Sequence, residues 1–91
     1  MTEELHVSEL GWLLGLASAR RRKREHELAN FKRRDGQTHA EYQAAKTRQA
    51  RTVEWARGVE DHLILLIAEV DRGELRDHHA ARLRDLERRA A

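Results

Sequence analysis

The stretch Lys32-Arg33-Arg34-Asp35-Gly36-Gln37-Thr38-His39-Ala40-Glu41 decides how this chain is read. Residues on both sides of it are mostly helix-forming, whereas glycine and short polar residues concentrate at 35–38. Three consecutive cations suit the negative end of a helix, and a following glycine can take the left-handed conformation that closes it. Thr38 with Glu41 three residues later forms a capping box, in which the hydroxyl serves the Glu41 amide. The stretch therefore predicts a helix over about 5–34, a turn at 35–37 and a second helix over about 38–71.

Outward from the turn, both flanks carry apolar or small residues at alternating steps of three and four, the signature of a heptad seam. On the C-terminal side these are Tyr42, Ala45, Gln49, Thr52, Ala56, Val59, Leu63 and Leu66. On the N-terminal side they are Phe31, Leu28, Arg24, Arg21, Ala17, Leu14, Leu10 and Val7. Taken in order, the numbers of each facing pair add to 73, from Phe31 with Tyr42 to Leu14 with Val59. Two helices joined by so short a link run antiparallel. The expected hairpin seam thus consists of Leu10, Leu14, Ala17, Leu28, Phe31, Tyr42, Ala45, Ala56, Val59, Leu63 and Leu66.

A second break falls near Asp71, Arg72, Gly73 and Glu74, where Asp71 and Glu74 again have capping spacing. A third helix is expected over about 74–89, with the thin stripe Leu75, His79, Leu83 and Leu86. It can fold back onto the hairpin or simply continue helix two. The fold class is accordingly all-α: an antiparallel, coiled-coil-like helical hairpin with a short third helix, within one domain of residues 1–91. Off the seam lie Trp12, Leu13, Leu16, Val53, Ile64 and Ile67, gathered at the open end of the hairpin. A short chain gains little beyond its conformational entropy from a single seam. These six residues need a cover, supplied either by helix three or by a second copy; they are the expected dimer or partner surface, with a homodimer closing into a four-helix bundle the expected assembly and a monomeric three-helix fold the alternative.

Composition narrows function mainly by exclusion. The 18 Lys and Arg nearly balance the 16 Asp and Glu, but residues 20–34 carry +6 while 1–19 carry −3. With no cysteine, disulfide scaffolds, thiol enzymes and zinc fingers are set aside. The uncharged run 10–19 would extend only about 15 Å as a helix, half a bilayer, and the acids Glu3, Glu4 and Glu9 do not suit a signal peptide. A cytoplasmic protein with no membrane contact is expected.

The basic block offers Arg20, Arg22, Lys23, Lys32, Arg33 and Arg34 as candidate anion or nucleic-acid contacts, since Lys and Arg release counterions from phosphates. No aromatic platform is evident beside it in the sequence. Histidine pairs with a carboxylate, such as Glu74 with His78, Asp35 with His39 and Glu3 with His6, supply two ligands at most, so neither a metal nor another cofactor is expected. With only Ser8 and Ser18 as hydroxyl nucleophile candidates among serines and no glycine-rich phosphate loop, no catalytic residue is assigned. A remote alternative is a small helical enzyme whose pocket is lined by Arg21, Arg24, Lys46 and Gln49. The favoured reading is a non-enzymatic binding protein of adaptor, inhibitor, assembly-factor or phage accessory type, acting on a protein partner; a nucleic-acid-binding dimer is the alternative.

Overall fold

A computed structural model describes residues 6–91 of the chain. Three α-helices make up almost all of it: α1 (Val7–Ala29), α2 (His39–Asp71) and α3 (Asp77–Ala90), with a 3₁₀ turn (Arg72–Glu74) before the last. Among the described residues there are no strands. Helix α1 packs against α2 as a hairpin, and α3 folds back onto α2. Leu5, the first residue of the expected helix one, and Glu3 of the Glu3/His6 pair lie outside the described residues.

The reversal is built as the turn chemistry requires. Gly36 has φ +78°, where a side chain would be strained. The Thr38 hydroxyl accepts from the Glu41 amide at 3.1 Å and donates to the Glu41 carboxylate at 3.0 Å. The loop is longer than expected, because α1 stops at Ala29 and not near residue 34. Asn30 caps it: its backbone amide, at 3.1 Å, and its carboxamide, at 2.8 Å, both donate to the His26 carbonyl, and the chain leaves the helix there. Phe31 is then free to stack on Tyr42, with ring centroids 5.7 Å apart.

That early stop changes the register above the turn. Phe31 and Tyr42 keep the expected pairing, but Glu25 meets Arg57 and Arg21 meets Glu60, pairs whose numbers add to 82 and 81. Non-helical chain advances up to about 3.3 Å per residue against 1.5 Å within a helix, so five unwound residues move α1 by up to about six positions along α2. Leu14 consequently lies level with the Ile67 region of α2, and Val59 is 36% exposed.

The core follows from this shift. Leu10 and Leu14 of α1, Ile64 and Ile67 of α2 and Leu83 of α3 form one buried cluster, with Leu63, Ala68 and Leu75 packed against it. Val53, Ile64 and Ile67, expected on a partner surface, are instead interior, Ile64 with no exposure at all. Each faces the seam that the shifted register creates, 53-56-60-64-67, and α3 covers its upper half. Of the expected seam, Leu10, Leu14 and Ala56 are buried, whereas Ala17, Leu28, Phe31, Tyr42, Ala45, Leu63 and Leu66 are only half-buried.

Helix α3 begins three residues later than expected. Asp71 accepts from the Gly73 amide at 3.1 Å, which supports the 3₁₀ turn and redirects the chain. His79 and Leu83 then face inward, with Leu75 and Leu86 half-buried beside them, as the stripe implied.

Candidate functional site

On the side of the hairpin away from α3, α1 and α2 leave an open groove of about 760 Å³. Its floor is small, Ala17, Ala56 and Gly58, and its walls are Leu13, Leu16, Trp55, Val59 and Leu63. Steps of three and four put these residues on one face of each helix. Arg20 and His62 are its polar members. Trp12, four residues before Leu16 and so on the same side of α1, is 66% exposed, and Trp55 is 59% exposed. Of the six expected partner-surface residues, Leu13 and Leu16 line this groove and Trp12 is exposed on the same helix, whereas Val53, Ile64 and Ile67 belong to the core.

The α3 side is polar and closely paired. Arg21 binds both carboxylate oxygens of buried Glu60 through Nε at 3.0 Å and reaches Glu25 at 2.9 Å. Arg57 clasps the other oxygen of Glu25 at 2.8 Å, and that hydrogen bond holds the Glu25 carboxyl below its ordinary range. Arg82 of α3 forms a two-point bridge to Asp61, both contacts 2.9 Å. These pairs knit α1 to α2 and α2 to α3. Sequence periodicity passed over Glu60 because an acid interrupts the run, although it sits four residues from both Ala56 and Ile64.

Ser18 and His79 meet in the interior, with Oγ and Nε2 3.0 Å apart. Burial, reinforced by His78 alongside, holds the His79 imidazole below its ordinary pKa against the pull of Glu60. A hydroxyl beside a neutral imidazole has the outline of a nucleophile and base. Ser18, however, is 2% exposed and lies within α1, where surrounding amides are taken up by the helix. The contact is a polar latch joining α1 to α3.

Comparison with protein-family models, curated proteins and solved structures finds no match to this chain.

At the turn end the fold brings together what the sequence keeps apart. The Phe31–Tyr42 stack stands beside the basic block, with Lys46 Nζ 5.9 Å from the Tyr42 ring centre. Lys32, Arg33 and Arg34 are exposed in the loop, Arg33 donating to the Gln37 carbonyl at 2.7 Å. Arg20 and Arg22 lie on opposite sides of α1, lining the apolar groove and the cleft above Ser18 respectively, and Lys23 is exposed. The block is thus not a single face. The arginine-lined pocket is not assembled either: Arg21 is held by Glu60, Arg24 and Gln49 by Glu27, and Lys46 stands over Tyr42. Among the described residues no three His, Asp or Glu side chains converge as metal ligands. No described helix is long and apolar enough to cross a membrane.

Proposed function

We propose that this is a small cytoplasmic, non-enzymatic binding protein of adaptor, inhibitor or assembly-factor type, and that the groove between α1 and α2 is where two copies meet to form a helical bundle. The observation that carries this reading is the exposed apolar face of Trp12, Leu16, Trp55 and Val59. The two tryptophans alone leave on the order of 200–300 Å² of apolar surface in water, against roughly 800 Å² contributed by each partner to a standard interface. Large exposed patches of this kind mark interaction sites. The face combines projecting rings with a floor of Ala17, Ala56 and Gly58, and a Cβ placed on Gly58 would meet nothing within 4 Å. Knob and hollow on one surface suit an isologous contact, in which each copy fills the other. The turn end then stays available to a further macromolecular partner.

Light scattering at micromolar concentration tests this, with an expected mass twice 10.6 kDa. Leu16→Glu and Val59→Glu should each give the single-chain mass with unchanged helical circular dichroism. A single-chain mass for the unaltered protein overturns the dimer.

A further inference from the structure

Between the loop residues 30–34 and α2 lies an open cleft of about 310 Å³, at the end of the molecule opposite the core. It is lined by Phe31, Arg34, Gln37, Arg48, Gln49 and Thr52, with Ala45 beneath. No carboxylate lines it. Elsewhere in the fold arginines that lie near acids are paired with them, at Arg21, Arg24, Arg57, Arg72, Arg82 and Arg88. Arg34 and Arg48, like Arg20, Arg22, Arg51, Arg76, Arg84 and Arg89, stand outside these pairs, and of that group they are the two that share a cleft with no carboxylate in its lining. Arg34 uses its backbone amide, to the Gln37 side chain, and Arg48 uses its carbonyl, to the Thr52 hydroxyl. Neither guanidinium is engaged by another described residue. Their approach comes from the early end of α1: with 30–34 outside the helix, Arg34 lies against the second turn and beyond of α2 and no longer continues α1.

Two unengaged guanidinium groups in one acid-free cleft make a site for an anion that can accept from both. Phosphate oxygens match such forks. Charge around the cleft has the same sign: residues 30–52 hold six Lys and Arg against Asp35 and Glu41, and Glu27, which accepts from the lining Gln49, is itself paired with Arg24. One wall is aromatic, because Phe31 lines the cleft while its ring leans on Tyr42. The volume is at the lower end of small-ligand sites, which suits a single nucleotide unit.

We propose that this cleft binds a nucleotide unit of single-stranded nucleic acid or of a free nucleotide, its phosphate held between Arg34 and Arg48 and its base against Phe31. A duplex presents phosphates but keeps its bases stacked, so it meets the arginines without the aromatic wall. The site lies apart from the apolar groove and holds whether or not two copies associate.

Fluorescence anisotropy of labelled single-stranded oligonucleotides with the full-length chain tests the assignment at low and physiological salt. Binding is expected at low salt, stronger for the single strand than for the matching duplex. The double variant Arg34→Ala/Arg48→Ala should weaken it by about tenfold or more. The control Arg84→Ala/Arg89→Ala removes the same charge from exposed positions on α3 outside the cleft and should weaken it by no more than about threefold. Phe31→Leu, which keeps apolar bulk, should narrow the preference for single strand over duplex. Competition by a nucleoside monophosphate assigns the site to free nucleotides; retention of the labelled strand assigns it to a polymer. Three results overturn the proposal: no binding at low salt, equal losses in the two double variants, or displacement by polyglutamate as effective as by unlabelled strand, which would indicate an acidic peptide.

Discussion

The two ends of the hairpin share a composition of helix formers and differ in what lies between them. At the open end three helices enclose Leu10, Leu14, Ile64, Ile67 and Leu83, and polar groups there are paired across helices. At the turn end only two segments meet, the contacts are half-buried, and the Phe31–Tyr42 stack takes the place of a core. The third helix makes the difference. One seam between two helices buries a stripe, whereas a third helix converts that stripe into an enclosed volume where each methylene counts. Stability therefore resides at one end, and the cleft that joins two unpaired arginines without a carboxylate resides at the other.

The sharpest way to break this contrast is at Ile64, which has no exposure. Ile64→Ala should cost about 2–5 kcal/mol in a urea melt. A cost below about 1 kcal/mol would mean the open end is not the structural core. Next comes the link between the ends. Glu60→Ala leaves Arg21 with Glu25 as its one carboxylate partner and should cost roughly 1–3 kcal/mol, with Glu60→Gln recovering part of it. Smaller again is the turn itself: Thr38→Ala removes the cap from α2 and should cost about 1 kcal/mol. Hydrogen exchange in that variant should rise at the start of α2 and stay unchanged around Ile67; a uniform rise would show the two ends to be one cooperative unit.

The smallest effect is in pH. His79 is neutral-favoured in the fold, its pKa lowered from 6.5 chiefly by burial. A depressed histidine contributes stability that is intact above the unfolded value and is lost as pH falls below it. The melting temperature should therefore decline from pH 7 to pH 5, while Glu25, whose lowered pKa starts from 4.5, adds its loss only below that. His79→Gln should flatten the decline. A flat profile in the unaltered protein, or an unchanged slope in the variant, would remove the Ser18–His79 contact as the source.

Local signals were legible in the sequence wherever the chemistry was local. Gly36, Thr38 and Glu41 marked the reversal, because backbone sterics and a capping bond need only near neighbours. The Phe31–Tyr42 pair was legible for the same reason, being anchored next to the turn. Of the residues expected on a partner surface, Leu13 and Leu16 line the groove and Trp12 is exposed, whereas Val53, Ile64 and Ile67 turned inward. Periodicity reports that a stripe is apolar and leaves open whether another part of the chain or water faces it. The basic block was legible as charge, yet its division among opposite sides of α1 and the loop was not.

By itself the sequence determined three helices, the glycine about which the first two reverse, and a stripe that makes the third amphipathic. Only the tertiary structure decided where α1 ends, and with it the register, the core and the juxtaposition of Arg34 with Arg48. The reason is that stopping at Asn30 or running on toward residue 34 differs by only about a hydrogen bond or two, too little for near neighbours in sequence to fix. Leaving the helix there accompanies the stacking of Phe31 on Tyr42, a contact absent until the chain has folded back.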